Sequence, residues 1–335
     1  MPRSDIFGCA GLELNASEKA FFADADPWGF ILFARNIDTP DQIRKLTADL
    51  RHCVGREAPI LIDQEGGRVA RLLPPVWTEW QNALEFMDTL PSIAARREAM
   101  QLRYKVIGAE LRDLGIDVNC APMADIACDT THVAIGQRCY GRTAGEVAVI
   151  GRAVADGLAE GGVLPILKHI PGHGRTPLDS HVDLPVVDAP RDVLMVEDFA
   201  PFKALADLPM AMTAHIIYSA IDSENCGTWS QDVVEVIRRD IGFDGLLMTD
   251  DLSMHALSGS FADRVAKSIN AGCDMILHCN GNMDEMAAIA SATPHLSDNS
   301  ATRAEAALAA RPEARPIDIP EALRRIAELG HEQER

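Results

Sequence analysis

The stretch Gly245-Leu246-Leu247-Met248-Thr249-Asp250-Asp251 decides the fold. A short apolar run opened by glycine and closed by charge is the pattern of a buried parallel strand whose C-terminal end meets solvent. Seven similar runs recur, at 6–12, 29–33, 59–62, 117–121, 164–167, 211–214 and 274–277. Between them lie stretches with helical periodicity, at 40–53, 93–113, 144–160, 192–206, 231–240 and 261–271. Alternating strands and helices imply a parallel sheet. Eight such units favour one closed (β/α)8 TIM barrel over an open doubly wound sheet. An open sheet holding a nucleotide lacks support, because neither G-x-G-x-x-G nor G-x-x-x-x-G-K-[ST] occurs.

The remainder of the chain fits that frame. No repeat of 20–50 residues and no low-complexity linker divides it, so 1–335 reads as a single catalytic domain. From about residue 282 the sequence is rich in Ala, Glu and Arg and reads as closing helices packed on the barrel. Of the 335 residues, 47% are hydrophobic and 24% charged, the balance of a globular protein that builds its core without staples. With 31 Lys and Arg against 50 Asp and Glu the net charge is −19, which argues against nucleic acid or an anionic membrane surface as partner. No secretory h-region follows the N-terminus and no apolar run approaches 18 residues, so the expectation is a cytoplasmic protein. Eight cysteines with no C-x-x-C pair read as reduced, mostly buried thiols.

In such a barrel, chemistry gathers where the strands end. Asp63-Gln64-Glu65-Gly66-Gly67-Arg68, continuing to Arg71, follows the third strand. Asp125 and later Gly136-Gln137-Arg138 follow the fourth. Lys168-His169-Ile170-Pro171-Gly172-His173-Gly174 ends the fifth, and Asp179-Ser180-His181 comes soon after. His215 follows the sixth strand, and Asp250-Asp251 the seventh. Asp250 directly ends a buried strand and reads as facing the mouth, whereas Asp251 reads equally well as a cap of the following helix. Arg71 and Arg138 suit ligand clamping, because a forked donor matches paired oxygens. Arg68 reads as a structural pairing residue and His173 as a fastener of its own loop. The segment from 170 to about 187 is long for a strand-to-helix connection, and such loops often carry function. Within it, a carboxylate two residues from an imidazole suits general acid/base work.

Four strings then match a known family in the right order: IDQEGGRVARL at 62–72, KHIPGHG at 168–174, Asp179-Ser180-His181, and MTDDLSM at 248–254. Together they resemble glycoside hydrolase family 3, most closely its compact bacterial β-N-acetylglucosaminidases of peptidoglycan recycling, and the resemblance runs from residue 6 through about 279. It implies a TIM barrel and a retaining mechanism, with Asp250 as nucleophile, His181 as acid/base and Asp179 as the partner of that histidine. It further implies sugar binding by Asp63, Arg71, Arg138, Lys168 and His169. The implied substrate is a small carbohydrate or muropeptide carrying a terminal β-linked GlcNAc, on anhydromuramic acid bearing a peptide. No cofactor, metal or obligate protein partner is implied. Two departures are mild: Cys139 stands where the family usually has Ser, and Ile170 where Phe is common. Larger relatives take their acid/base from a second domain, which this chain is too short to hold. A metal-dependent hydrolase on the same barrel is the alternative, with His169, His173, His181, His215 and Asp250 as ligands. It is disfavoured because Pro171 and Gly172 keep His169 and His173 off one helical face. A non-catalytic sugar-binding barrel is the third reading, disfavoured by the intact Asp250, Asp179 and His181.

Overall fold

The computed structural model of the chain describes residues 2–176 and 184–331. Eleven strands occur in the described residues: β1 (Arg3–Gly8), β2 (Pro27–Leu32), β3 (Ile60–Ile62), β4 (Val118–Asn119), β5 (Leu164–Pro165), β6 (Leu167–Ile170), β7 (Val186–Val187), β8 (Met210–Thr213), β9 (Ile217–Tyr218), β10 (Leu246–Asp251) and β11 (Met275–His278). Nine form one parallel sheet in the order β5-β4-β3-β2-β1-β11-β10-β8-β6. The two ends of that order are β5 and β6, the halves of a single stave separated by Ile166 alone. The Ile166 N–H lies 3.0 Å from the Asn119 carbonyl and 2.8 Å from that of Ala121, so the ladder continues across the gap. Counted by staves, the ring has eight members and is the expected (β/α)8 barrel. β7 and β9 form a separate two-residue parallel pair above it.

The strands read as continuous apolar runs because both their faces are covered. On β10, Leu246 and Met248 point into the barrel with Ile6, Ile31, Leu61, Val118, Leu164, Met210 and Leu277. Leu247, between them, packs outward on Phe243, Ile237 and the neighbouring helices. Burying each such side chain contributes about 1.5–3 kcal/mol, so the period-2 alternation vanishes from the sequence without vanishing from the structure.

Helices surround the staves at the expected places, among them Pro40–Val54, Ile93–Asp113, Ala144–Glu160 and Phe261–Ala271. Ile93–Asp113 and Ala144–Glu160 cross at glycines. A Cβ on Gly157 would stand 2.3 Å from the Gln101 carbonyl oxygen, so only glycine permits that approach. Toward the C-terminus, Asp298–Ala309 buries Ala304 and Ala307 against the interior cluster, and Ile319–Leu329 packs on Ile93–Asp113. The N-terminal ends of the staves are stapled by carboxylates. Asp117 accepts from the Ile60 N–H at 2.8 Å and pairs with Arg51 and Arg311. Asp274 accepts from the Leu247 N–H at 3.0 Å, from Arg238 at 2.8 Å and from Ser300 at 2.8 Å.

The first apolar run, expected over 6–12, is displaced. Its strand starts at Arg3 and stops at Gly8. The following residues form a loop pinned by side chains: Asn36 donates to the carbonyls of Cys9 and Gly11, and Glu18 accepts from the Ala10 N–H. All eight cysteines are free; six are buried, Cys53 is half-buried and Cys128 is exposed. Among the described residues, no helix is long and apolar enough to cross a membrane.

Candidate active site

The C-terminal ends of β3 and β6 deliver an alternating row of charge. Lys168, in β6 and only 1% exposed, places Nζ 2.8 Å from Asp63 Oδ1 and 2.6 Å from Glu65 Oε1. Arg138 grips Glu65 with both arms of its fork, Nε to Oε2 at 2.9 Å and Nη2 to Oε1 at 2.8 Å. Arg71 reaches the other oxygen of Asp63 at 3.3 Å and lies over the Phe33 ring at 5.2 Å. The row therefore runs Arg71, Asp63, Lys168, Glu65, Arg138. Burial alone would raise the pKa of both carboxyls, but the cations outweigh it. Lys168 and Arg71 hold Asp63 well below the usual carboxylate range, and Arg138 and Lys168 hold Glu65 at about 2. Burial lowers the Lys168 ammonium pKa, and its two carboxylates more than reverse this, so it stays charged.

Local structure sets these positions. The Asn119 side chain clasps the neighbouring stave through the Gln64 backbone: the Gln64 N–H donates to Asn119 Oδ1 and Asn119 Nδ2 to the Gln64 carbonyl. The Gln64 amide oxygen then accepts the backbone N–H groups of Arg71 and Leu72, folding the loop back over the mouth. Arg103 and the Tyr104 hydroxyl both donate to the Glu65 carbonyl from beneath.

A second group follows β4 and β6. Asp125 is fully buried, with Oδ2 2.7 Å from His169 Nδ1 and Oδ1 accepting from the His173 N–H at 2.6 Å. Burial pushes its pKa up, and His169 and His173 bring it below the usual value. An ionised Asp125 fixes the His169 proton on Nδ1. The His173 ring bonds Thr176 Oγ1 at 2.8 Å, and burial, reinforced by His169, draws its pKa down to about 4. His173 thus fastens its loop as a neutral ring. A Cβ on Gly174 in that loop would stand 2.0 Å from the Ile126 carbonyl oxygen.

Across the mouth stands Asp250, half-buried at the end of β10, its Oδ1 accepting from the Asp251 N–H at 2.8 Å. The buried thiols of Cys120 and Cys279 are near enough to both Asp63 and Asp250 to feel their charge. Burial pushes both thiol pKa values up, and the shared charges place those carboxylates around one floor. Asp251 closes its turn: it accepts from the Ser253 N–H and hydroxyl and from the Cys279 N–H.

The structure thus gathers Asp63, Arg71, Arg138, Lys168 and His169 at one end of the barrel, with Asp250 on the same rim. Asp179 and His181 lie outside the described residues. Arg68, read as a pairing residue, is exposed and only its backbone N–H is held, by Asn82. Sequence reasoning passed over Glu65, the acid that joins Arg138 to Lys168. Its spacing from Asp63 was a usable signal, since residues two apart at a strand end share a face. Among the described residues, no group of three or more His, Cys, Asp or Glu is arranged to hold a metal ion.

The sequence model for the glycosyl hydrolase family 3 N-terminal domain matches residues 8–309. A β-hexosaminidase of Bordetella avium is 37% identical over 281 residues, which covers 81% of this chain and 79% of the relative. The crystal structure of native NagZ from Neisseria gonorrhoeae aligns with a TM-score of 0.85 at 29% identity, covering 98% of each chain. A family 3 β-N-acetylglucosaminidase from Paenibacillus aligns with a TM-score of 0.84 at 30% identity, covering 98% of this chain and 67% of that one.

Proposed function

The chain belongs to glycosyl hydrolase family 3 and is a β-N-acetylhexosaminidase, and on that premise we propose that it removes terminal β-linked GlcNAc by a retaining, two-step mechanism. The observation that carries this is the alternating row Arg71, Asp63, Lys168, Glu65, Arg138 at the same barrel mouth as Asp250. Each sugar hydroxyl both donates and accepts, and a row of alternating acids and bases answers both needs. His169, with its proton fixed on Nδ1 by Asp125, adds a further ring nitrogen at that rim.

In the first step, the Asp250 carboxylate attacks the anomeric carbon and the bond to the glycosidic oxygen breaks. His181, oriented by Asp179, gives that oxygen its proton. In the second step, His181 takes a proton from water. The water oxygen attacks the same carbon, the ester to Asp250 breaks, and the sugar leaves with its β configuration retained. His181 enters the first step as an imidazolium and leaves it as a neutral base, so it never sets a second negative charge beside Asp250, as a carboxylate would. The proposed natural substrates are GlcNAc-anhydromuramyl-peptides, on the resemblance of the sequence motifs, and the proposed compartment is the cytoplasm.

The deciding experiment is hydrolysis of an aryl β-N-acetylglucosaminide beside the matching β-glucoside, each with and without EDTA. The expected result is activity on the first alone, unchanged by chelator. Activity abolished by EDTA and restored by a divalent cation would favour the metal-dependent alternative. His181→Ala should slow substrates with poor leaving groups far more than activated aryl glycosides. Equal loss on both would remove the acid/base role.

A further inference from the structure

Behind Asp250 lies a buried chain of hydroxyls and one imidazole that the two-step mechanism does not use. His215 follows β8 and has no solvent exposure. Its Nε2 is 3.1 Å from the carbonyl oxygen of Asp251, the residue after the nucleophile. Its Nδ1 is 2.7 Å from Thr228 Oγ1, which in turn is 2.8 Å from Thr213 Oγ1. Thr213 and Thr228 are equally buried.

These partners set the proton positions in the chain once the ring is neutral. A carbonyl oxygen only accepts, so Nε2 carries the hydrogen. Burial holds the ring below the usual imidazole range, against the pull of the Asp250 and Asp251 charges. The ring is therefore neutral, and Nδ1 is left as an acceptor. The Thr228 hydroxyl, which also has the Ala214 carbonyl at 3.3 Å, donates to the nearer Nδ1 at 2.7 Å, and the Thr213 hydroxyl then donates to Thr228. One direction runs through the set, from Thr213 to Thr228 to His215 to the Asp251 carbonyl, and each donor finds an acceptor.

Asp251 is braced from its other sides as well. Its carboxylate takes the Ser253 N–H and hydroxyl and the Cys279 N–H, and the next N–H, of Leu252, bonds the Leu277 carbonyl at 2.9 Å. Its own N–H donates to Asp250 Oδ1. Any swing of the Asp251 peptide is thereby passed to the nucleophilic carboxylate.

We propose that His215 is a positioning residue that acts as a neutral Nε2–H tautomer, set by Thr228 and Thr213, and holds the strand end that aims Asp250 at the anomeric carbon. This rests on Asp250 being the nucleophile. The role belongs to the attack step, while the sugar is gripped across the same mouth by Asp63, Lys168, Glu65 and Arg138. Loss of the brace therefore separates attack from binding, and a misplacement near 1 Å costs about 10²-fold in rate.

The test uses a fluorinated hexosaminyl fluoride that labels the nucleophile, with N-acetylglucosamine as the binding probe and ¹⁵N NMR of the His215 ring. In the unaltered protein the label should fall on Asp250, and the ring should be neutral with its proton on Nε2 from pH 6 to 8. His215→Phe should slow labelling about 10²-fold, with the Kd of N-acetylglucosamine moved by less than about threefold. His215→Gln, which keeps an N–H donor, should recover part of that loss. Thr228→Val, close in shape and able to fold should His215→Phe fail to, should slow labelling about tenfold and let the Nδ1–H tautomer appear. A charged ring or an Nδ1–H tautomer in the unaltered protein overturns the proposal, as does labelling of Thr228→Val at the unaltered rate. A label on a residue other than Asp250 overturns the nucleophile assignment itself, a failure distinct from any result on the ring.

Discussion

Both ends of the barrel carry buried carboxylates at the tips of staves, and they spend them differently. At the N-terminal end, Asp117 and Asp274 accept backbone N–H groups from neighbouring staves as well as arginines. Their lone pairs are consumed in stapling strand to strand and strand to helix. At the C-terminal end, among the described residues, the Asp63 and Glu65 carboxylates bond side chains: Lys168, Arg71 and Arg138. Those side chains meet at a mouth where a ligand can exchange with them. The same residue type holds the fold at one end and is held ready at the other, the division of labour typical of this architecture.

The sharpest cut across that comparison is Asp250→Ala. Turnover should fall by about 10⁴-fold or more, with the melting temperature and N-acetylglucosamine affinity nearly unchanged. Near-normal turnover in a steady-state assay would remove the catalytic role from this rim. Next is a matched pair. Lys168→Met should lower kcat/KM about 10²-fold or more and also destabilise the fold by ~3 kcal/mol, because Asp63 and Glu65 lose the cation between them. Asp274→Ala should destabilise by a similar ~3 kcal/mol while folded protein keeps its kcat/KM. Denaturant titration beside kinetics reads both, and loss of kcat/KM in Asp274→Ala would erase the distinction between the two ends.

A smaller effect concerns the loop fastener. The pKa of His173 is about 4 when folded and near 6.5 when unfolded. Between those values the unfolded chain binds more protons, so stability should rise with pH from about 4 to 6.5 and then level off. His173→Gln should flatten that slope in melts taken across the range, and an unchanged slope would place the titration elsewhere. Arg68→Ala should change least, within about 0.5 kcal/mol and twofold in kcat/KM, because its side chain is exposed. A larger kinetic loss would enlarge the clamp beyond Arg71 and Arg138.

The staves were legible because helices cover their outer faces, which makes each a short apolar run ending in charge. Seven of the eight runs overlap their strands, and the one read as ending at Asp250 runs one residue further, to Asp251. The run at 6–12 misled because apolar composition at 9–12 is overridden by the side chains of Asn36 and Glu18, a contact between distant segments. Asp117 and Asp274 were read as strand residues, yet they stand just before β4 and β11 as staples, since their partners come from other elements. Asp251 was ambiguous by sequence and proved to be the frame of its turn. Glu65 was missed because its two cations lie 73 and 103 positions away, where no local period reaches.

That last distance has an evolutionary meaning. Glu65 shares one oxygen between Arg138 and Lys168, so residues from two loops and one strand form one coupled unit. A single substitution leaves two buried charges mismatched, and the cost of the second change depends on the first. Drift at any one of these positions is therefore closed unless the others move with it. Specificity on this barrel has freer routes to change through the exposed loops around the rim than through the row of charge at its centre.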